Sequence, residues 1–166
     1  MTEPWLRGSL PDVDPVISHL IRAAQHIRED LRAALTPLTP AEIWAKPHDL
    51  TSAGFHAKHL AGSTTRLCAY LAGRSLTRQE LSAIPLEVVG IEDSAELIRL
   101  VDEAFELYEK EVRSLRPEDF GTLRYIGRAR LPVAAVSLAI HIAEHGHRHV
   151  GQTVSAAKLA LALRDA

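Results

Sequence analysis

Apolar residues recur at helical spacing in four long stretches of the chain, and each stretch predicts one amphipathic helix. The stretches cover about residues 14–35, 52–72, 94–115 and 131–153, and the last continues as an Ala- and Leu-rich segment over 155–163. Polar residues that can cap a helix stand just before the first three stretches. They are Asp14 for the first, Thr51 or Ser52 for the second, and Asp93 for the third. Pro132 suits the first turn of the fourth helix.

The connections between these stretches contain little regular structure. Residues 38–50 hold two prolines and at most a short helical turn, with Trp44 expected to close one end of the core. Residues 73–92 include a possible turn at 77–83, and this connection either covers the mouth of a site or simply packs on the bundle. The stretch 122–130 can be extended, but no set of strands is evident. The pattern therefore predicts an all-α protein, a four-helix bundle with long connections.

Histidines are concentrated in the fourth helix. At about 100° per residue, His141, His145 and His149 form one stripe, whereas His147 points away from it. A lone histidine on an apolar face is usually a hydrogen-bonded core residue, but three such residues would each need a separate polar partner. One cation satisfies two of them at once, since imidazoles one turn apart can meet at a single metal ion. The stripe therefore predicts a metal site formed by either adjacent pair.

The second helix supplies a further histidine. His59 shares its face with Phe55, Ser63, Arg66 and Tyr70, and His56 lies about 60° away. Arg66 is a candidate for holding an anionic thiol or substrate, with an ion pair to a neighbouring helix as the alternative. The sole cysteine, Cys68, lies on the opposite side and is expected to be a small buried residue. Three other histidines are expected to be exposed: His19, His26 and His48.

Two motifs resemble the DinB/YfiT-like family of four-helix-bundle metalloproteins. They are S-x2-F-x3-H-L over residues 52–60 and H-x3-H-x-G-Q over residues 145–152, preceded by L-T-P-A-E-x-W over 38–44. The resemblance implies a divalent metal, zinc or nickel, held by His59, His145 and His149. It leaves His141 beside the ligands or near the substrate, as a candidate catalytic residue with Arg66. Phe55 stands where many relatives have tryptophan.

The resemblance also suggests a chemistry. In related branches, such as mycothiol-dependent maleylpyruvate isomerase and bacillithiol S-transferases, the metal activates a low-molecular-weight thiol. Three imidazoles leave a divalent metal with an exchangeable position. We therefore expect a metal-dependent transferase or isomerase that uses a thiol and a small-molecule substrate. The alternatives are a metal-dependent hydrolase, for which no general base is evident near the motif, and a non-enzymatic stress or interaction protein with a structural metal.

Composition narrows the range of partners. With 166 residues, 46% of them apolar, the chain is expected to form one domain over 1–166, with a core from about 12 to 163. A net charge of −2 argues against nucleic acid or an anionic membrane as partner, and the single cysteine permits no internal disulfide. A cytoplasmic location is expected. Val133, Val136, Ile140 and His147 form a second face of the last helix, which predicts a homodimer unless another helix covers it.

Overall fold

A computed structural model describes residues 2–164 and confirms a bundle of four long helices. Most helical residues belong to these four, and two short helices lie in the connections. In chain order the helices are α1 (Pro15–Leu35), α2 (Pro40–Ile43), α3 (Ala53–Leu71), α4 (Arg78–Ser82), α5 (Ser94–Ser114) and α6 (Ala135–Arg164). Short 3₁₀ helices add single turns at Pro4–Arg7, Pro47–Asp49, Ile84–Val88 and Pro117–Asp119.

Side-chain caps determine where α1, α3 and α5 begin. The Asp14 carboxylate accepts hydrogen bonds from the backbone N–H groups of Val16 and Ile17. Ser52 caps α3 in the same way, and Asp93 caps α5. Each cap satisfies N–H groups that have no partner inside the helix, so the chain changes from connection to helix at these residues.

The four long helices enclose one apolar core. Both α1 and α3 pack mainly against α5 and α6, which places α1 and α3 diagonally across the bundle. The Tyr108 hydroxyl on α5 donates a hydrogen bond of 2.8 Å to the carbonyl of Ala139 on α6. Gly146 permits close approach of α6 to the neighbouring helices, since a Cβ there would lie 2.5 Å from Ile27 Cδ1. The middle of α6 is therefore held tightly in the bundle.

The start of the last helix differs from the sequence prediction. Residues Leu131–Ala134 form strand β2, which pairs antiparallel with β1 (Leu123–Ile126), and α6 begins only at Ala135. Pro132 thus lies in a strand opposite Tyr125 and not in a first helical turn. The hairpin gives the backbone of 131–134 hydrogen-bond partners that a helix would otherwise supply, and an edge position tolerates the missing N–H of proline. Gly127, with φ of +67°, opens the turn.

The face of α6 that suggested a dimer is partly covered. Val133 and Val136 are half-buried, while Ile140 and His147 are exposed. The ring of His147 contacts that of His26 on α1, with centroids 5.5 Å apart. His26 is consequently half-buried and not exposed as predicted, because α6 packs beside it. The homodimer stays a prediction, and light scattering at micromolar concentration would test it.

Other expectations for the connections and surface agree with the structure. Trp44 is half-buried against the core, and its indole N–H donates to the carbonyl of Glu92. His19 and His48 are exposed, whereas Cys68 is buried. Within residues 2–164, no helix has the length and apolar character needed to cross a membrane.

Candidate metal centre

The bundle brings His59 of α3 together with His145 and His149 of α6. Each residue can offer one ring nitrogen so that all three nitrogens lie within 4.8 Å of one another. His145 and His149 are one helical turn apart, and their Nε2 atoms are separated by 3.2 Å. The His59 ring lies across from this pair, with its centroid 4.8 Å from that of His149 and 5.6 Å from that of His145. The three imidazoles therefore converge from two helices on one point.

This arrangement fits a divalent cation. Two nitrogen ligands at about 2.0–2.1 Å from a tetrahedral metal lie about 3.3 Å apart, and the separation of the His145 and His149 Nε2 atoms is close to that value. Without a cation only one of these two facing nitrogens can donate a proton to the other. The donor set also suits zinc and nickel, for which neutral imidazole is a preferred ligand. The cluster is thus arranged as a site for a cation.

Glu87 fixes the orientation of His59, a role that was not predicted from the sequence. The residue lies in the 3₁₀ helix Ile84–Val88 and is 7% exposed. Its Oε2 is 2.7 Å from His59 Nδ1. Since an ionised carboxylate only accepts, Nδ1 of a neutral His59 carries the proton and Nε2 keeps its lone pair. The only sequence signal was one acidic residue within the apolar run of residues 84–89.

The imidazoles of His145 and His149 differ in the contacts of their Nδ1 atoms, which point away from the shared Nε2 contact. His149 Nδ1 lies 3.4 Å from Nδ1 of His56, which is buried on α3 next to the cluster. Nδ1 of His145 is buried and has no hydrogen-bond partner within residues 2–164. His56 thus lies close to the site, as its position on α3 suggested, and orients one imidazole of the pair. Within the described residues, no hydrogen bond to Nδ1 therefore determines which ring nitrogen of His145 carries the proton.

Burial keeps the two histidines of α6 in the cluster uncharged. Burial lowers the pKa of His145 to about 4, and the nearby His59 and His141 add to this effect. Burial also lowers the pKa of His149 to about 4, assisted by His145 and His59. Burial alone would raise the pKa of Glu87, but its hydrogen bonds from His59 and Arg66 outweigh that effect and lower it. At neutral pH the α6 pair is therefore neutral, the form that binds metal, and Glu87 is ionised.

The other candidate residues, Arg66 and His141, lie near the three histidines but outside the convergent group. Arg66 Nη1 donates a 2.5 Å hydrogen bond to Glu87 Oε1, so the ion-pair alternative is the one observed. His141 is exposed, and its ring centroid is 6.0 Å from that of His145, further than that of His149 at 4.4 Å. His141 is absent from the convergent group. Phe55 stacks on His59 with ring centroids 5.6 Å apart.

A cavity of about 390 Å³ adjoins the histidine cluster. His59 and His145 form part of its wall, together with Tyr70 of α3, residues of the connection after α3, and Arg128 of the hairpin turn. Its volume is within the range of sites that bind small molecules. His59 and His145 are thus accessible to a ligand from the cavity, whereas Glu87 contacts His59, and His56 contacts the buried His149, from other sides.

Acid should destabilise the metal-free protein through these histidines. Unfolded histidine has a pKa of about 6.5, whereas that of His145 and of His149 is about 4 in the folded protein. Between these values the unfolded state binds more protons, so the free energy of unfolding should fall as the pH falls. Urea unfolding with a chelator at pH 7.5 and pH 5 measures this loss.

Substitution at one site isolates the contribution of the cluster. The variant His145→Asn should lose less stability between the two pH values, because one of the suppressed protonations has been removed. The variant His19→Asn, at an exposed position, should behave like the unmodified protein. An equal pH dependence in all three proteins would show that the cluster does not control acid stability.

The fold and the site together define a class of protein, namely a four-helix bundle with three convergent histidines on facing helices. The model of the DinB superfamily matches residues 23–153, and the chain belongs to that family. No curated protein matches the chain. Among solved structures it is similar to YfiT from Bacillus subtilis, with a TM-score of 0.63 and 14% sequence identity over 95% of this chain and 97% of that one. That protein is described as "a probable metal-dependent hydrolase with an unusual four-helix bundle topology".

Proposed function

We propose that this protein binds one divalent cation, zinc or nickel, through His59, His145 and His149, and uses it with a low-molecular-weight thiol in a transfer or isomerisation reaction. The main support is the convergence of three ring nitrogens beside an open cavity. Structural zinc sites are usually closed by four protein ligands, whereas three-ligand sites keep a position for an exchangeable ligand. The geometry thus favours a site that binds a substrate over a purely structural one.

The residues around such a site hold the proposed metal ligands in place and cover part of their surface. A bound divalent cation supplies Lewis acidity, which lowers the pKa of a thiol or water that coordinates to it. Glu87 holds His59 so that Nε2 is available, and Phe55 covers one face of the same ring. His56 lies against His149, with 3.4 Å between their Nδ1 atoms. These contacts fix the imidazoles before a ligand arrives, which reduces the reorganisation needed on binding.

Any reacting thiol must come from outside the chain. Cys68 is the only cysteine, and its side chain is buried in the core. Burial raises the pKa of its thiol to about 12, with Glu111 adding to the effect. A thiol with such a pKa is protonated at neutral pH and is not nucleophilic. The proposed reaction therefore needs a separate, soluble thiol.

Hydrolysis is the alternative that the description of YfiT suggests. A hydrolase of this kind needs a base that takes a proton from the attacking water. Glu87 is the carboxylate that contacts the cluster, but Oε2 accepts from His59 and Oε1 from Arg66. Glu87 is therefore better placed to orient His59 than to take a proton from an attacking water. Metal-dependent ester hydrolysis in the absence of a thiol would favour this alternative over thiol transfer.

Metal analysis tests the first part of the proposal. Protein freed of any purification tag should contain close to one zinc, nickel or manganese ion per chain, or acquire one on titration. The reason is that three imidazole nitrogens already lie close enough together to share one cation. A protein that stays metal-free in the presence of zinc would contradict the proposal.

Removal of the Glu87 carboxylate should weaken metal binding without removing a ligand. Loss of a hydrogen-bond partner behind a ligating histidine typically lowers metal affinity by about 10- to 100-fold. We expect Glu87→Gln to show a decrease in this range, measured by competition with a chromophoric chelator. Gly62→Ala should act in the same direction, because a Cβ at Gly62 would collide with the Glu87 carboxylate.

Glu92→Gln is the matched control for this effect. Glu92 lies in the same connection and forms an ion pair of 2.6 Å with Lys58 of α3, away from the histidine cluster. The variant removes the same charge but should retain the metal affinity of the unmodified protein. Equal decreases in Glu87→Gln and Glu92→Gln would show that net charge, and not the contact to His59, is responsible.

A further inference from the structure

The lining of the cavity beside the histidines combines apolar and basic side chains. The apolar ones include Leu67 of α3 and Leu76, Leu81 and Ile84 of the following connection. Two guanidinium groups, those of Arg66 and Arg128, line the same cavity, together with His141. None of the residues that line this cavity is acidic. A molecule in the cavity would therefore meet both hydrocarbon and positive charge.

The two arginines are not equivalent. The charge of Arg66 is compensated by Glu87, with which it forms an ion pair of 2.5 Å. Arg128 has no hydrogen bond or ion pair within the part of the chain that is described, residues 2–164. Arg128 is also exposed, so its side chain can move toward a ligand at little cost. It is the uncompensated cation of this cavity.

The neighbouring arginines of the hairpin have other contacts. Arg124 donates a 2.6 Å hydrogen bond to the carbonyl of Leu71, which attaches the hairpin to the end of α3. The guanidinium of Arg130 lies over the ring of Tyr125, 4.6 Å from its centroid. Both side chains thus support the hairpin itself. Arg128, at the turn between β1 and β2, supports nothing that the structure describes and lines the cavity.

From these observations we infer that the cavity binds a small organic anion. A carboxylate or phosphate of the ligand pairs with Arg128, its apolar body lies along Leu67, Leu76, Leu81 and Ile84, and its other end approaches His59 and His145. A guanidinium presents several donors in one plane and suits both types of anionic group. The inference rests on the proposed function, since it assigns a substrate class to the same site.

Short thiols that differ only in charge test the anion site. The probes are 3-mercaptopropionate and 6-mercaptohexanoate, each compared with the neutral 3-mercaptopropanol and 6-mercaptohexanol. Binding to the cobalt-loaded protein is followed by the visible absorption of the metal. At least one acid should bind about 3- to 10-fold more tightly than its alcohol, as expected for an ion pair with an exposed arginine. The preference should decrease at high salt.

The variants Arg128→Gln and Arg130→Gln form a matched pair. Each removes one positive charge from the same turn, but only Arg128 lines the cavity. Arg128→Gln should abolish the preference for the acid, leave binding of the alcohol unchanged and leave cobalt affinity unchanged. Arg130→Gln should keep the preference. Equal affinities of every acid and its alcohol, or equal losses in both variants, would overturn the inference.

An additional experiment distinguishes failure of the anion site from failure of the proposed thiol chemistry. If none of the thiols alters the cobalt spectrum, the proposed thiol chemistry fails. In that case hexanoate and hexanol are titrated into the same metal-loaded protein by calorimetry. Tighter binding of hexanoate that depends on Arg128 supports the anion site even without thiol chemistry, and equal binding of the two overturns it.

Discussion

Replacement of His59, His145 or His149 by alanine should each abolish tight metal binding. The three ring nitrogens converge within 4.8 Å, so each variant removes one bond from the same proposed cation. Four-ligand zinc sites bind with about 10–16 kcal/mol, or about 3 kcal/mol per ligand. The loss of one ligand should therefore weaken binding by about 100-fold or more. Competition with a chromophoric chelator measures the decrease, and circular dichroism shows whether each variant is folded.

His141→Ala provides the matched comparison on the same helix. His141 is one turn from His145, but it is exposed and lies outside the convergent group. Its variant should bind the metal, with affinity or activity lowered about 10- to 100-fold if His141 supports the site from behind. Loss of the metal in His141→Ala, with retention in His149→Ala, would move the site one turn along α6 and contradict the proposed ligand set.

Metal removal should abolish the proposed catalysis of thiol transfer. A free thiol with a pKa of about 8.5 is only about 3% ionised at pH 7. A cation that lowers this pKa well below 7 raises the thiolate fraction by up to about 30-fold, before any gain from positioning. Incubation of the protein with a panel of cellular thiols and a generic electrophile should thus show a rate with metal that exceeds that of chelated protein by about an order of magnitude or more.

The pH dependence gives this test its specificity. The advantage of the metal-loaded protein should shrink as the pH rises toward 9, since the free thiol ionises without help. His145→Ala should lose the metal-dependent rate, and metal salt alone, without protein, is the required control. A rate that is unchanged by chelator for every thiol in the panel would exclude the proposed reaction. The largest activity should be found with thiols or electrophiles that carry an anionic group, if Arg128 binds one.

Local sequence patterns determined the starts of three long helices and the spacing of two of the candidate ligands. Asp14, Ser52 and Asp93 cap their helices because their side chains satisfy N–H groups a few residues away, an interaction that needs no distant partner. The spacing of His145 and His149 follows from helical geometry alone, and their Nε2 atoms are indeed 3.2 Å apart. The sequence also identified His59 through a family resemblance, and its position opposite the pair agrees with that expectation.

Tertiary structure decided the features that depend on distant segments. Leu131–Ala134 form a strand because residues 123–126 supply a hydrogen-bonding partner, although the pattern around Pro132 also suits a helix. Glu87 lies 28 positions after His59 and contacts it from the connection that follows α3, whose path no periodicity defines. Arg128 borders the cavity only because the hairpin turn lies beside α3 and α6. Sequence periodicity reports which face of one element is apolar, whereas these contacts depend on how several elements pack together.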